Sequence, residues 1–438
     1  MAKKETTKKT VAKISAAKPV ADKISKKTAE KPKPAAKPKL AAGKKTSAAP
    51  ASKPAPAKKP AVKAASKPAP KKKPAAKKSV RPSVTDVRST PTAIVTGACG
   101  FAGGHMVDLL VEKGFRVIAT DLEGASREFV NPKAEFIPAD ITNVDSLKNI
   151  FKGKINYVYH PAAIFDYEAP WEICEKVNVF GMRNICEMSL KQNLKRFVLF
   201  STVSVYGHPE PDELPVRESN TKRPGTNYER SKLMQEEIGI EYVGKGLPVS
   251  VVQPAPVYGP RNVYGVATIL FLLAKFPILP FPVNLDSYIV GVHIRDVCRA
   301  ALFVSDIKEA IGETYIVIDN SRYTLREFVE FVCPLMGVRI MPVFIPRDLF
   351  VRAADHIADA SRSFAKIMGT RPFVEKDMVY YLKAVYTFDN TKLRSLGFEF
   401  EYPDLLEGAR ETIEWYKENG YLDRRDLWQK AIFGKNRY

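Results

Sequence analysis

Residues 92–105 read TAIVTGACGFAGGH, and this stretch limits the possible folds of the chain more than any other. A short apolar run ends at Gly97 and gives way to a helical pattern, with further glycines at Gly100 and Gly103. Glycines so spaced allow a tight strand-to-helix turn and a close backbone approach to a pyrophosphate. The helix N-terminus would then point free N–H groups at the phosphates. Taken alone, the three glycines fit an ordinary turn equally well.

The pattern that follows is typical of an α/β fold. Apolar runs predict strands near residues 93–96, 115–120, 134–138, 155–160, 196–202 and 248–254, and the intervening stretches predict helices near 101–113, 143–151, 171–193 and 228–244. Such alternation predicts a Rossmann-type, doubly wound parallel sheet with helices on both faces. We expect this domain over residues 91–260. A smaller substrate lobe, interleaved with it, is expected mainly from residues 261–438.

Acidic residues follow two of the predicted strands. Asp121 ends the second strand, 18 residues after Gly103. A carboxylate there would accept hydrogen bonds from ribose hydroxyls and repel a 2′-phosphate, which favours NAD over NADP. Asp121 could instead cap a helix. Asp140 and Ile141 end the third strand and are expected beside the adenine, whereas His160 is expected to be a packed core residue rather than a catalyst.

Tyr228 and Lys232 suggest acid–base chemistry. Their i, i+4 spacing puts both side chains on one helix face. A nearby cation favours phenolate and would lower the tyrosine pKa from about 10, making Tyr228 a usable general acid or base. Lys232 could also hold the nicotinamide ribose. The fifth strand leads into residues 201–207 (STVSVYG), whose hydroxyls would lie in the ligand crevice. By itself the Tyr/Lys spacing is common by chance.

The ordered set of motifs resembles a known family. TGACGFAGGH, Asp121, HPAA, VNVFGMRN, STVSVYG, YERSK and PAPVYGP together resemble the extended short-chain dehydrogenase/reductase family, also called the NAD-dependent epimerase/dehydratase family, over residues 91–420. The resemblance implies hydride transfer with NAD, with Tyr228 exchanging the substrate proton. It implies that Thr202 and Lys232 are catalytic and that Asn178 supports the active-site helix. The expected cofactor site comprises Gly97, Gly100, Phe101, Gly103, Asp121, Asp140, Ile141, Ala162, Tyr228, Lys232 and Pro254, with no metal.

Departures from the family pattern bear on which reaction of the family the chain could catalyse. Family dehydratases carry an acidic pair after the catalytic threonine, where this chain has Val203 and Ser204, which cannot act as acid and base for water loss. Family epimerases usually carry a sugar-diphosphate asparagine where this chain has Pro256. The apolar segment 265–283 would be either core helix or the mouth of a hydrophobic site. Asp296, in VHIRDVCRA, is expected to cap a helix and fix the substrate lid.

These features favour the branch that resembles 3β-hydroxysteroid dehydrogenases, dihydroflavonol reductases and 3-oxoacyl-type reductases. The leading hypothesis is interconversion of a secondary alcohol and a ketone on a hydrophobic, steroid-like or 3-oxoacyl-like molecule. The alternative is a nucleotide-sugar epimerase with retained NAD. A third hypothesis is a binding protein that senses NAD and binds nucleic acid through its basic N-terminal arm. Such a sensor would have no need of the Tyr/Lys pair.

The basic charge is confined to the N-terminal segment. The net charge is +21, yet residues 1–90 hold 27 Lys and Arg against 4 Asp and Glu, and the remaining 348 residues hold 42 against 44. This Lys/Ala/Pro-rich segment is expected to be disordered. It would contact nucleic acid, polyphosphate or an anionic membrane surface, or serve only solubility. With no transmembrane run and five scattered cysteines, we expect a cytoplasmic protein, with peripheral membrane contact and a homodimer left open.

Overall fold

A computed structural model describes residues 90–368 and 386–422, together with Pro372, Val374 and Val379. The predicted disordered segment over residues 1–90 lies outside the described residues, apart from its last residue. Within the described residues, no helix combines the length and the apolar character needed to cross a membrane.

Strands and helices alternate along the first half of the chain. The strands are β1 (Thr92–Thr96), β2 (Arg116–Thr120), β3 (Glu135–Phe136), β4 (Tyr157–His160), β5 (Arg196–Phe200), β6 (Val249–Pro254), β7 (Val257–Tyr258), β8 (Ile278–Pro282), β9 (Tyr288–Ile289), β10 (Val292–His293), β11 (Thr314–Val317), β12 (Tyr323–Thr324) and β13 (Arg339–Val343). The helices are α1 (Phe101–Glu112), α2 (Val144–Leu147), α3 (Trp171–Cys174), α4 (Gly181–Leu190), α5 (Asn227–Gly244), α6 (Val266–Ala274), α7 (Ile294–Asp306), α8 (Leu325–Leu335), α9 (Arg347–Met368), α10 (Thr391–Ser395) and α11 (Leu405–Glu418). A π-helix, Glu175–Phe180, joins α3 to α4, and short 3-10 helices lie at Val203–Tyr206, Pro211–Glu213 and Lys308–Ala310.

Seven of these strands form one parallel sheet in the order β11-β6-β5-β4-β1-β2-β3. Val95 of β1 lies opposite Ala119 of β2 and Tyr159 of β4, at the centre of the sheet. Apolar side chains of α1 and α7 pack on one face, and those of α4 and α5 pack on the other. The predicted Rossmann-type, doubly wound fold is confirmed.

The seventh strand was not predicted. β11 comes from the part of the sequence assigned mainly to the substrate lobe and pairs with β6, with Thr314 opposite Val251. Its run of only four residues is a weak pattern in the sequence, and its pairing depends on contacts distant along the chain. Both α7 and β11 follow residue 260 in the chain and belong to the layers of the parallel sheet.

A third apolar core joins α6, α8 and α11, beside a two-stranded parallel sheet of β8 and β13. The predicted capping role of Asp296 is wrong. His293 caps α7 instead, because its Nδ1 accepts from the N–H of Arg295. The buried Asp296 carboxylate accepts from the N–H groups of Glu401 and Tyr402, at 2.7 and 2.8 Å. It thereby ties the segment before α11 to α7.

Candidate active site

The turn between β1 and α1 has a backbone that only glycine fits. Gly97 has a φ of +60°, and a Cβ there would lie 2.9 Å from the Cα of Ala162. A Cβ on Gly103 would collide with the carbonyl of Gly97. Gly100 forms the N-terminal boundary of α1 and supplies no side chain to cap it. The N–H groups of the first helical turn are therefore available to an anion.

Asp121 connects this turn to the end of β2. Its Oδ2 accepts from the N–H of Cys99 at 2.9 Å, and its Oδ1 accepts from the N–H of Leu122 at 2.8 Å. Both bonds hold the carboxylate beside the glycine turn, where ribose hydroxyls could reach its remaining lone pairs. Asp121 is not the cap of a helix. The preference for NAD over NADP that the sequence predicts from Asp121 stays a prediction.

A cavity of about 980 Å³ lies at the carboxyl ends of the sheet strands. It brings together almost every residue that the sequence singled out, with Asn178 outside its lining. The predicted residues that line it are Gly97, Gly100, Phe101, Gly103, Asp121, Asp140, Ile141, Ala162, Thr202, Tyr228, Lys232 and Pro254.

Thr202 begins the 3-10 helix after β5 and belongs to a chain of hydroxyls. Its Oγ1 donates to Ser204 Oγ at 3.1 Å, and the phenol oxygen of Tyr167 lies 3.2 Å from the same Ser204 oxygen. The rings of Phe165 and Tyr167 meet the Tyr228 ring edge-on, with centroids 5.2 and 5.3 Å apart. The loop after β4 thus encloses the Tyr228 ring. The sequence analysis missed Phe165 and Tyr167, because aromatic residues in a loop carry no spacing signal.

Tyr228 and Lys232 both lie in the first turns of α5 and are buried. Burial raises the pKa of the Tyr228 phenol above its usual range, and the neighbouring Glu229 and Cys174 raise it further. The expected lowering of this pKa by Lys232 is not observed. Burial lowers the pKa of Lys232 itself to about 7, against a smaller opposing effect of Glu236. Desolvation therefore outweighs the attraction that the i, i+4 spacing suggested.

The Lys232 ammonium is held by groups that the sequence analysis did not identify. Its Nζ donates to the Phe200 carbonyl at 2.6 Å and to Gln235 Oε1 at 2.5 Å. One turn further along α5, the buried Glu236 accepts from Gln253 Nε2 at 2.8 Å and from Lys222 Nζ at 2.5 Å. These hydrogen bonds join α5 to the ends of β5 and β6, next to the cavity.

Asn178 does not line the cavity and is connected to the site through hydrogen bonds. It lies in the π-helix, fully buried, and its Oδ1 accepts from the N–H of Ile164 at 2.7 Å. Its Nδ2 donates to Ser231 Oγ at 2.8 Å, and that hydroxyl donates to the carbonyl of Tyr228 at 2.7 Å. Asn178 thus joins the loop after β4 to α5. The π-helix, a feature frequent at functional sites, gave no signal in the sequence.

His160 is a packed core residue, as the sequence predicts. Its Nδ1 lies 2.8 Å from Thr96 Oγ1, and burial lowers the pKa of the imidazole to about 3. It is a neutral core residue at the end of β4, in contact with the end of β1.

Comparison with known proteins gives a consistent picture. The family model described as "NAD dependent epimerase/dehydratase family" matches residues 93–317, just over half of the 438 residues. UDP-N-acetyl-alpha-D-glucosaminuronate decarboxylase of Bacillus cytotoxicus is 30% identical, over 74% of this chain and 97% of its own. Sterol-4-alpha-carboxylate 3-dehydrogenase, decarboxylating, of Bos taurus is 26% identical, over 40% of this chain and 49% of its own. The Thermus thermophilus UDP-glucose 4-epimerase, solved as a complex with NAD, has the same fold, with a TM-score of 0.57 and 21% identity over 74% of this chain and 99% of that one.

Proposed function

The chain belongs to the NAD dependent epimerase/dehydratase family, and within this family of enzymes we propose that it interconverts a secondary alcohol and a ketone on a hydrophobic small molecule. The single observation that carries the substrate class is the composition of the cavity wall. Among the described residues that line the cavity, the charged side chains are Asp121, Asp140, Lys176 and Lys232, all on the side of the parallel sheet.

The lobe side of the cavity is apolar. Ile269 and Leu273 of α6, Leu279 of β8 and Phe328 of α8 line it, and no described lining residue after Asn262 is charged. The segment 265–283 therefore supplies both core and cavity wall, since Ala274 is buried in the lobe core and Ile269 lines the cavity. A diphosphate would need cations here, whereas an aliphatic or polycyclic group would bury apolar surface.

The residues around the glycine turn fit a dinucleotide. The glycine turn on the cavity wall and the uncapped start of α1 would take a pyrophosphate, and the Asp121 carboxylate would take a ribose. When bound, NAD supplies the hydride acceptor or donor. NADP is disfavoured in this proposal by the negative charge of Asp121.

In the proposed reaction, the side chains of the protein donate and accept the substrate proton. With its pKa raised, the Tyr228 phenol is protonated at neutral pH and can donate to a carbonyl oxygen. The Thr202 hydroxyl would hydrogen-bond the same oxygen. Lys232, whose pKa is about 7, would exchange protons near neutral pH and replenish the phenol. Asn178 and Ser231 would hold Tyr228 in place through its carbonyl.

Epimerisation of a UDP-sugar is the second candidate. It is favoured by the solved UDP-glucose 4-epimerase with the same fold and by Lys176, a cation on the cavity wall. It is disfavoured by Pro256, which lines the cavity without a side-chain donor.

A screen of the purified enzyme with NAD distinguishes the two candidates. Sterols, long-chain 3-hydroxyacyl compounds and UDP-glucose are each incubated with the full-length protein. A dehydrogenase forms reduced nicotinamide in step with ketone, and an epimerase converts UDP-glucose with no net change in nicotinamide. Turnover of UDP-glucose alone would contradict the proposal.

A further inference from the structure

Exposed apolar side chains are concentrated on one part of the substrate lobe. Phe344 is 92% exposed and Ile367 is 83% exposed, whereas the other exposed large apolar residues in the described part of the chain are 37–59% exposed. Eight exposed apolar residues come from β8, from β13, from α9 and from the residues that directly follow α6 and β13. We call this set the lobe face: Phe276, Ile278, Met341, Phe344, Leu349, Ile357, Phe364 and Ile367.

Helix α9 is amphipathic, and within the described residues only part of its apolar side is buried. Its buried residues are Ala358, Ser361 and Ala365. Beside that buried line runs a second apolar stripe with spacings of three and four residues, formed by Leu349, Ala353, Ile357, Ala360, Phe364 and Ile367, each of which is exposed. At 1.5 Å per residue this stripe follows a helix about 33 Å long. The polar side carries both signs of charge, on Arg352, Asp355, Asp359, Arg362 and Lys366.

The outer side of the small sheet is also exposed, and residues 344–346 connect its strand β13 directly to the start of α9. In the β8–β13 register, Ile278 lies opposite Arg339 and Pro280 lies opposite Met341, and all four residues are exposed. Phe281, the next residue after Pro280 on β8, points to the opposite side of the sheet and is buried in the lobe core. The sheet therefore presents apolar side chains and a basic one on its outer side.

The lobe face adjoins the cavity. Ile357 is half exposed, and it lines the cavity together with Phe350 and Ala354 of the same helix. Pro280 is likewise both exposed and part of the cavity wall. An apolar molecule bound at this face would therefore lie beside the cavity wall at Ile357 and Pro280.

We propose that the lobe face docks on an anionic lipid bilayer. Phe344 and Ile367 make little contact with the part of the chain that the structure describes, so they can enter an acyl layer without a matching pocket, as the apolar side of an interfacial helix does. Exposed Arg339 lies opposite Ile278 in the small sheet, and exposed Arg352 lies on α9 among charges of both signs; these two cations would pair with phosphate headgroups. The docking itself does not depend on the proposed alcohol–ketone chemistry, and it places the cavity where a lipid-soluble substrate could enter.

The first test is flotation of the full-length chain with vesicles of phosphatidylcholine and phosphatidylglycerol in equal amounts, at low and high salt. Salt screens the basic segment 1–90, whereas apolar insertion persists. The triple variant Phe344→Ser/Leu349→Ser/Ile367→Ser should lose about tenfold or more of the high-salt binding. Val144→Ser/Ile311→Ser, at two exposed apolar positions elsewhere, should bind as the natural chain does. Equal binding of the two variants would overturn the proposal.

The second test measures insertion directly. Phe344→Trp should be quenched by brominated lipids in the same vesicles, whereas Val144→Trp should not. If neither tryptophan is quenched while the protein floats, the basic segment alone holds it at the surface and the lobe face does not dock. If the triple variant instead abolishes a dimer seen by sedimentation without lipid, the face belongs to a second copy of the chain. Either result refutes bilayer docking.

Discussion

Replacing Lys232 with methionine should change how the stability of the fold depends on pH. The side chain is 3% exposed, and burial lowers its pKa from 10.5 to about 7. Between these two values the unfolded chain carries a proton that the folded chain lacks. The free energy of unfolding therefore rises with pH across this window, by at most about 1.4 kcal/mol per pH unit.

The magnitude follows from the two pKa values. Between about pH 7 and about pH 9, the natural chain should gain about 2 kcal/mol of stability relative to Lys232→Met, because the methionine has no proton to lose. Below about pH 7 the difference between the two proteins should level off, since Lys232 is then protonated in both states. Bound nucleotide would alter this balance, so the comparison uses protein from which nucleotide has been removed.

Urea unfolding followed by tryptophan fluorescence at several pH values provides the assay. Lys245→Met is the matched control, because Lys245 lies at the end of the same helix with its side chain 43% exposed. Its profile should run parallel to that of the natural chain. If the Lys232→Met profile is also parallel, Lys232 stays charged in the folded protein, and the reasoning about its pKa fails.

Four further outcomes are expected. Tyr228→Phe should lower turnover by about a hundredfold or more while leaving NAD affinity nearly unchanged, as steady-state kinetics and calorimetry would show; wild-type turnover would rule out the proposed proton donor. Gly97→Ala should destabilise the fold by about 1–3 kcal/mol and weaken NAD binding, because its φ is +60°; thermal unfolding with and without NAD measures both. Asn178→Ala should cost about 1–3 kcal/mol by leaving the N–H of Ile164 without its acceptor, and an unchanged urea midpoint would contradict this. Removing residues 1–88 should leave catalysis intact and abolish salt-sensitive binding to polyphosphate; a loss of activity would make that segment part of the enzyme.

Some features of this protein depend on local sequence and could be read from it directly. The glycine turn is one, because only glycine tolerates the φ of Gly97 and the closeness of its neighbours. The alternation of apolar runs with helical stretches is another, and it predicted six of the seven sheet strands with small errors at their ends. The order of the motifs likewise placed Thr202, Tyr228 and Lys232 on one cavity wall.

Other features depend on which distant residues meet, and only the tertiary structure decided them. The i, i+4 spacing put Tyr228 and Lys232 on one helix face, yet burial reversed the expected direction of the tyrosine pKa shift. The four-residue strand β11 became part of the sheet through pairing with β6. The amphipathic pattern of α9 could not show which apolar side chains the protein itself covers, because burial is a property of the packed fold and not of one helix.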